Sequence, residues 1–393
     1  MNSMFWKWLT SRTVRQAVDL RNQVEKFLNA QRDILSPQAV DALSKAVGDM
    51  QGVLAVSKPT KQTILEQMTA LETVANKWLK AYPHASIREN VEVVLVAVAV
   101  ALAIRTFFLQ PFKIPTGSMQ PTLYGITHQD LRNDPTVTIP GGFGRFVDSW
   151  FYGTSYYHKV AKADGTLEIE PVQRILPLVT RQKFRVGPEW YTVWFPPDKF
   201  QDRADLRSGQ LFYKGDDIVK LMVRSGDHLF VDRLTFNFRR PTRGEIIVFK
   251  TQGIDSLPQD QYYIKRMVAL GGEHVRIGND HHLIIDGQRL DAATPRFENV
   301  YTFGPNHQPY AYFGHVNGYG DDGQQFSSLE LAPRFPDENA EFTVGKNRYL
   351  VMGDNTLNSL DSRRWGDFPQ ENVIGKSAFV YWPISSRFGW SHR

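Results

Sequence analysis

A chain of 393 residues has room for one large domain or for two to three domains of ordinary size. Charged residues make up 22% and the formal net charge is +5, without any nucleic-acid-binding signature, so we expect attraction to membrane lipid but no nucleic acid partner. The absence of cysteine excludes disulfides, thiolate metal sites and cysteine nucleophiles.

Residues 1–85 are predicted to form an N-terminal helical region. Apolar residues recur there at helical spacing in three stretches. Ser36-Pro37 is a typical helix start, because the serine hydroxyl can cap the helix and proline fits its first position, and Pro59-Thr60 is predicted to start a third helix. The stripes favour helices that pack on each other, and a docking site for a partner is the alternative. The first residues lack a continuous apolar stretch, so we expect no cleavable signal peptide.

A long apolar segment follows this region. Every residue from Val93 to Ile104 is apolar, and the stretch from Val91 to Leu109 would span about 28 Å as a helix, close to the thickness of a hydrocarbon core. We therefore predict one transmembrane helix over residues 86–110. A buried core helix is the alternative, because the strictly apolar stretch is short.

The basic residues around this segment predict its orientation. Lys77, Lys80 and Arg88 precede it, while Arg105 and Lys113 follow its core. Because cytoplasmic flanks carry more Lys and Arg, this small excess favours a cytoplasmic N-terminus. The N-terminal helices are thus expected on the cytoplasmic side and the rest of the chain on the outer side.

A loop rich in proline comes directly after the apolar segment. Pro111 is expected to end the helix, because it has no N–H to donate and its ring blocks the preceding turn. Pro115 and Pro121 then bracket a small polar loop that contains Ser118. A single serine does not identify a nucleophile, but this one lies only about ten residues from the predicted bilayer surface.

Residues 111–393 are predicted to form a mainly β domain. From about 124 to 215, short β-type runs alternate with Gly and Pro breaks and carry no recognisable chemistry. The strand signals sharpen from about 218, in the runs HLFVDRLTF (228–236), EIIVFK (245–250), YYIKRMVAL (262–270), HLIIDG (282–287) and SAFVYWPI (377–384). We predict antiparallel β structure arranged as a barrel or as layered sheets.

The lysine in the run YYIKRMVAL is a candidate general base. Hydrolysis of a peptide bond needs a nucleophile, a base and donors for the oxyanion, and no histidine here stands in a recognisable Ser/His/Asp context. On a strand, Tyr263, Met267 and Ala269 share a face with Lys265. Such apolar neighbours favour a neutral lysine, and the alternative is a lysine that extends to solvent.

Four segments of the chain together resemble the type I signal peptidases, the enzymes that remove leader peptides from exported proteins. In chain order they are PFKIPTGSMQPTL, SGDHLFVDRLTF with RRPTRGEIIVFK, YYIKRMVALGGEHVRI, and MGDNTLNSLDSRRWG. The resemblance covers residues 91–125, 218–278 and 346–383, about a third of the chain. It implies a membrane-bound serine endopeptidase with a Ser/Lys dyad, which needs no cofactor and no metal.

The resemblance implies catalytic roles at the matching positions. Ser118 would attack the scissile carbonyl, and Lys265 would take its proton and later deliver it to the leaving amine. The backbone N–H of Ser118 and the hydroxyl of Thr116 would form the oxyanion hole. Thr116 stands where a serine is common in the family, and the hydroxyl is kept.

Supporting and substrate-binding roles are implied in the same way. Ser359 would hydrogen-bond to Lys265 and orient it. Asp361 and Arg363 would form a supporting ion pair behind the site, with an ordinary surface pair as the alternative. Small apolar pockets would accept alanine-like residues at positions −1 and −3 of the leader, and they would be lined by Ile114, Met119 and Tyr263.

Two features depart from the pattern of the family. Thr356 and Leu357 stand where many members carry an Arg-Asp pair. The candidate nucleophile and base are 147 positions apart, more than in compact members. This distance indicates an insertion at about 124–215. A second insertion is expected at about 279–345, between the last two segments that carry the resemblance.

The resemblance implies action on signal-peptide-bearing preproteins at the outer, periplasmic face of a bacterial inner membrane, by a single-pass protein in contact with lipid. One alternative is a non-catalytic membrane-anchored β domain that binds exported proteins or a partner. Another is a self-cleaving protease of the repressor type, which also uses a Ser/Lys pair. Those proteases are soluble, so the predicted span argues against this reading.

Overall fold

The computed structural model divides the chain into two compact units, Met1–Ala99 and Val100–Arg393. It describes residues 11–56, 59–80, 85–132, 134, 136–177, 179–302, 313–319 and 328–390. The first unit contains the helices α1 Arg12–Gln31, α2 Pro37–Ala55 and α3 Lys61–Trp78.

Each of these three helices begins at a polar N-cap. The side chains of Ser11, Ser36 and Thr60 accept hydrogen bonds from backbone N–H groups of the first turn. The apolar stripes of the helices face each other and form one core. Its fully buried members include Ala17, Leu43, Met50 and Leu71. The predicted helical region is therefore present, although the first ten residues of that prediction lie outside the described residues.

The apolar segment forms helix α4, Ala85–Phe107. Its part Ile87–Phe107 has a mean hydropathy of 2.0 and is not buried inside the protein, so it is long and apolar enough to cross a membrane. The prediction that this helix extends to residue 110 is wrong, because a strand begins at Leu109. Pro111 lies inside that strand, so the helix ends before the proline is reached.

The unit Val100–Arg393 is built mostly from short strands. The strands in its first half are β1 Leu109–Lys113, β2 Thr127–Asp130, β3 Thr154–Val160, β4 Gly165–Ile169, β5 Gln173–Leu176, β6 Val179–Val186, β7 Glu189–Trp194, β8 Leu211–Phe212, β9 Asp217–Arg224 and β10 His228–Asp232. Those in its second half are β11 Ile246–Lys250, β12 Tyr262–Leu270, β13 His274–Ile277, β14 Leu283–Ile285, β15 Gln288–Arg289, β16 Phe342–Thr343, β17 Arg348–Met352, β18 Phe368–Pro369, β19 Val373–Trp382 and β20 Gly389–Trp390. The helices between them are α5 Gly142–Phe151, α6 Phe200–Arg203, α7 Glu298–Tyr301, α8 Ser328–Leu331 and α9 Ser362–Trp365.

The central sheet joins strands from both ends of this unit. Its order is β1-β10-β19-β11-β12-β17-β18, with β20 paired to β19, and the described pairings are antiparallel. Pro111 is tolerated because β1 is an edge strand, where one side of the strand makes no ladder hydrogen bonds. The prediction of mainly antiparallel β structure is confirmed. The described sheet is open, because β1 and β18 lie at opposite ends of the order.

Three smaller sheets complete the unit, with the orders β15-β14-β13-β16, β2-β9-β3 and β5-β6-β4-β8, where β7 pairs with β6. The two sheets formed by β2–β9 share a hydrophobic core of their own. Its fully buried members include Leu167, Phe184, Val186, Ile218 and Val219. The stretch from about 124 to 215 is thus a folded region packed on β9, with strands where the sequence shows β-type runs.

Candidate active site

Ser118 lies on the loop between β1 and β2, and hydrogen bonds hold this loop in place. The carbonyl of Ser118 accepts from the backbone N–H of Asn355 at 3.1 Å. The side-chain amide of Asn355 donates to the carbonyl of Gly117 at 3.0 Å, and the N–H of Leu123 donates to the carbonyl of Met119 at 2.9 Å. The serine is therefore fixed on a loop, although loops are often mobile.

Lys265 on β12 reaches the hydroxyl of this serine. Its Nζ donates to Ser118 Oγ at 2.7 Å and to the carbonyl of Ile264 at 3.2 Å. Lys265 is 4% exposed and Ser118 is 5% exposed. Burial disfavours the ammonium form and lowers the pKa of Lys265 to about 8, against the opposing charges of Asp361 and Asp354. Near pH 8 the amine is therefore unprotonated often enough to accept a proton from the serine.

Strand β12 surrounds the amine with apolar side chains. Tyr263 and Met267 share a face with Lys265 as the alternation predicts, and Nζ lies 5.6 Å from the centre of the Tyr263 ring. The register against β17 shifts between Met267 and Ala269, which leaves Val268 as the extra residue of a bulge. The prediction is therefore wrong for Ala269, which packs with Val268 in another hydrophobic cluster.

Asp361 and Arg363 form an ion pair that is fully buried and is not a surface pair. Arg363 donates to both carboxylate oxygens of Asp361 at 2.9 Å and to the hydroxyl and carbonyl of Thr356 at 2.7 Å. Burial by itself raises the pKa of Asp361, but Arg363 and the N–H of Gly353 outweigh it and hold the pKa below its usual value. An ionised carboxylate thus lies within electrostatic reach of Lys265.

The hydrogen bond expected from Ser359 to Lys265 is not formed. Ser359 is fully buried, and its hydroxyl has no hydrogen-bond partner among the described residues. The hydroxyl lies against the Cα of Gly353 instead. A Cβ placed on Gly353 would be 2.1 Å from Ser359 Oγ and 2.4 Å from the carbonyl oxygen of Ser118. In this structure Gly353 is thus closely approached by both Ser359 and the carbonyl of Ser118.

The variant Gly353→Ala is expected to disturb the nucleophile, because the added methyl group would overlap with the Ser118 carbonyl. Such overpacking costs about 1–3 kcal/mol of unfolding free energy. The free energy of unfolding, measured with denaturant, and the cleavage rate should both be lower than those of the parent protein. The control Gly142→Ala should change neither, since nothing lies within 4 Å of its added Cβ. Parental stability and rate in Gly353→Ala would contradict the close packing.

Sequence reasoning missed a second buried ion pair, which is next to Lys265 in the chain. Arg266 follows Lys265 on the opposite face of β12 and donates to the two carboxylate oxygens of Asp354 at 2.7 and 2.6 Å. Both partners are 0% exposed. Asp354 also accepts a hydrogen bond from the hydroxyl of Thr122. Thr122 lies on the loop between β1 and β2 that carries Ser118, called the nucleophile loop below. The available signal was a second charged residue, directly after Lys265, in a strand whose other residues are apolar or aromatic. The aspartate sits in a segment typical of a tight turn.

The remaining candidate residues differ in exposure. Thr116 is exposed two positions before Ser118, where a substrate can meet it. Ile114 and Met119 are 2% and 0% exposed and belong to a hydrophobic core cluster, so their side chains are almost closed off from solvent. Tyr263 is half-buried. In the part of the chain that the structure describes, no group of three or more His, Asp or Glu side chains is arranged to hold a metal ion.

More than half of the chain matches the model of one protein family. A family model described as signal peptidase, peptidase S26, matches residues 87–129 and 219–382. The first matched segment contains Ser118 and the second contains Lys265. Residues 130–218 lie between the two matched segments.

Individual relatives are similar to parts of the chain. A probable signal peptidase I-2 of Synechocystis sp. is 27% identical over 41% of this chain and 58% of the relative, and the signal peptidase I of Haemophilus influenzae is 25% identical over 42% and 64%. A crystal structure of a signal peptidase I from Enterococcus faecalis V583 is 27% identical over 35% of this chain and 97% of that chain, with a TM-score of 0.23. That score is too low to carry a structural argument. The chain thus spans about three fifths of the length of the curated relatives it matches.

Proposed function

The chain belongs to the signal peptidase family, peptidase S26, and from this premise we propose that it is a membrane-bound serine endopeptidase that removes leader peptides from exported preproteins. One observation carries the proposal: the 2.7 Å hydrogen bond between the buried amine of Lys265 and the hydroxyl of Ser118. A lysine held there with its pKa lowered to about 8 has the position and the basicity of a general base.

The dyad can carry every proton transfer of the reaction. Ser118 Oγ attacks the scissile carbonyl carbon while its proton passes to the unprotonated Nζ of Lys265. The C–N bond then breaks, and the ammonium of Lys265 returns the proton to the amine that becomes the new N-terminus. Water next attacks the ester carbonyl while Lys265 takes its proton, the C–O bond to Ser118 breaks as Lys265 returns that proton to Ser118 Oγ, and the leader leaves with a free carboxyl group.

Two donors are proposed for the oxyanion. They are the backbone N–H of Ser118 and the hydroxyl of Thr116, which lies on the same loop and is exposed to substrate. A preorganised donor of this kind contributes about 3–4 kcal/mol to the stabilisation of the transition state. The hydrogen bonds from Asn355 to this loop support the role, since they limit the reorganisation needed during the reaction.

We further propose that the leader is cut after small residues at positions −1 and −3. The support is the burial of Ile114 and Met119, which flank Ser118 in the chain and are 2% and 0% exposed in one hydrophobic cluster, so that a pocket floor formed by them would be shallow. Tyr263, beside the amine, would form the exposed part of the wall. Residues with longer side chains would then clash with this floor.

The proposed location is a bacterial inner membrane crossed once by α4, with the N-terminal helices in the cytoplasm and the β-rich unit outside. Only Phe108 separates α4 from β1, and only a few residues separate β1 from Ser118. The nucleophile therefore lies close to the bilayer along the chain. A leader held in the same bilayer would meet it at a raised effective concentration.

Incubation of the full-length protein with a leader-bearing preprotein tests this function. We expect a mature product whose new N-terminus, read by mass spectrometry, follows a small-x-small motif. Binding of preproteins without any cleavage would instead favour a non-catalytic membrane-anchored β domain. Recovery of the protein in the soluble fraction of lysed cells would refute the proposed anchoring.

The cleavage rate is expected to rise with pH through a titration near 8. Only the unprotonated amine of Lys265 can act as base, and its pKa is lowered to about 8. Below that pH the value of kcat/KM should therefore rise about tenfold per pH unit, and above it the value should level off. A pH profile on a substrate without titratable groups near the cut checks this. A midpoint near the ordinary lysine value of about 10.4, or near the histidine value of about 6.5, would contradict the assignment.

A further inference from the structure

Helix α5, Gly142–Phe151, carries an apolar stripe that faces away from the protein. Phe143, Phe146, Val147, Trp150 and Phe151 follow the spacing of one helix face. Phe143 is 82% exposed, Phe146 is 58% exposed and Trp150 is 68% exposed, and no residue of the helix is buried. An exposed aromatic stripe of this kind marks an interaction surface, because soluble surfaces rarely carry contiguous apolar patches.

The end of this helix is fixed to the central sheet. The carbonyl of Trp150 accepts from Trp382 Nε1 at 2.7 Å, and the carbonyl of Phe151 accepts from the backbone N–H of Ile384 at 2.8 Å. Gly153 then turns the chain at a φ of +63°, and its Cα lies against the ring of Trp382. The aromatic stripe is thus presented by a braced element.

The apolar surface continues from the helix onto its anchor. Tyr152, directly after the helix, is 52% exposed, and Ile384, bonded to the last helical carbonyl, is 47% exposed. The patch therefore combines α5, which lies in the stretch between the two family-matched segments, with the turn after β19. Exposed apolar side chains from α5 and from the turn after β19 therefore lie next to each other on the surface.

Connectivity places this patch near the point where the chain would leave a bilayer. Only Phe108 separates α4 from β1, and the end of β1 at Lys113 pairs with His228, which pairs with Trp382. The five residues of β1 and the two strand-to-strand steps from Lys113 through His228 to Trp382 together limit the distance from the start of β1 to Trp382 to about 20 Å. If α4 is in a membrane, its interface is within reach of α5.

We propose that α5 is a second membrane contact, lying in the headgroup region of the bilayer with its aromatic stripe toward the acyl chains. Phe and Trp on one face of a short helix are the composition of interfacial helices. The nucleophile loop follows Lys113 directly, so this contact would hold Ser118 at the depth where a membrane-bound leader arrives. The inference rests on the proposed membrane anchoring by α4, and its first test does not depend on catalysis.

The natural absence of cysteine makes a site-directed spin label the direct test. One nitroxide is attached at Phe146→Cys, and a matched one at Trp190→Cys on β7, where the parent side chain is 52% exposed against 58% for Phe146. The full-length protein is reconstituted into vesicles of phosphatidylcholine with some phosphatidylglycerol. We expect the label at 146 to collide more with oxygen and less with a water-soluble nickel chelate than the label at 190.

Two outcomes of the labelling would overturn the proposal. Equal accessibility to the nickel chelate at both positions would show that α5 lies in water. Shielding of the label at 146 from both reagents, with dipolar broadening between nitroxides, would show that a second copy of the chain covers the helix. Neither outcome would bear on the peptidase, because the measurement needs no turnover.

A functional readout separates lipid contact from a role in folding. The triple variant Phe143→Ser, Phe146→Ser and Trp150→Ser is expected to cut membrane-embedded preprotein in vesicles more slowly, while it cuts a short soluble peptide in detergent at the parental rate. An unchanged rate in vesicles would refute the contact. An equal loss in both assays would also refute it, since the helix would then serve the folded site itself.

Discussion

Ser118→Ala is expected to abolish cleavage, with a fall in kcat on the order of 10⁴-fold or more, because it removes the hydroxyl on which the proposed acyl intermediate forms. The hydroxyl of Ser118 makes the 2.7 Å contact with Lys265. Because alanine differs from serine only by the loss of this hydroxyl, we expect the loop to keep its conformation. The measurement is the initial rate of preprotein cleavage by purified protein in detergent. Ser208→Ala, at an exposed serine far from β12 in sequence, is the matched control and should keep the parental rate.

Lys265→Met is expected to cause a loss of similar size, because residues that act as one catalytic unit are strongly non-additive. Methionine keeps the length and removes a buried amine, so the variant should fold at least as stably as the parent. Lys265→Arg should also be inactive, since a guanidinium keeps its proton. Lys250→Ala, at an exposed lysine on the neighbouring strand β11, should keep the parental rate.

The pattern of results identifies what Lys265 does. Activity retained in Lys265→Arg but lost in Lys265→Met would mean that a positive charge, and not a base, is required. Activity retained in Lys265→Met would remove the lysine from catalysis altogether. Both outcomes would contradict the dyad even if Ser118→Ala is inactive.

Local signals account for the parts of this fold that could be predicted from the sequence. Ser36 and Thr60 cap helices where a hydroxyl precedes an apolar stripe, since a cap and its helix are neighbours in the chain. The strand runs around Lys265 and the alternation up to Met267 follow from the period of a strand. The contact between Lys265 and Ser118 could be predicted only from the family resemblance, because 147 positions separate the two residues.

The features that could not be predicted depend on contacts between distant parts of the chain. The bulge at Val268 is set by pairing with β17, and it moves Ala269 off the face of the lysine. The end of α4 is set by the pairing of β1 with β10, which recruits Leu109 into a strand. Arg266 finds its carboxylate 88 positions further on, so nothing local to the strand shows that the guanidinium is satisfied.

Asp354→Ala is expected to destabilise the β-rich unit by about 3–5 kcal/mol, because it leaves Arg266 charged and unpaired in the interior. Arg266 is fully buried, and its other acceptors are the carbonyls of Gly244 and Arg296 and the hydroxyl of Thr122. These neutral groups do not replace the lost charge. Denaturant unfolding of the purified protein, followed by tryptophan fluorescence, measures the loss.

Two comparisons test whether burial of the pair is the reason. Arg185→Ala breaks the exposed pair with Glu168, joined at 2.7 Å, and should cost no more than about 1 kcal/mol. The double variant Arg266→Met with Asp354→Leu removes both charges and should recover much of the stability lost in Asp354→Ala. A double variant as unstable as the single one would show that shape, rather than the unpaired charge, dominates.

The pair also makes an electrostatic contribution that kinetics can isolate. The negative charge of Asp354 raises the pKa of Lys265 and so partly offsets the lowering by burial. Asp354→Asn, which removes the charge and keeps the shape, should therefore move the rising limb of the pH–rate profile to lower pH. An unmoved limb would mean that the charge of Asp354 is not felt at the amine, and a limb moved upward would contradict the sign. The shift is diagnostic because a merely structural role would lower the rate at every pH without moving the midpoint.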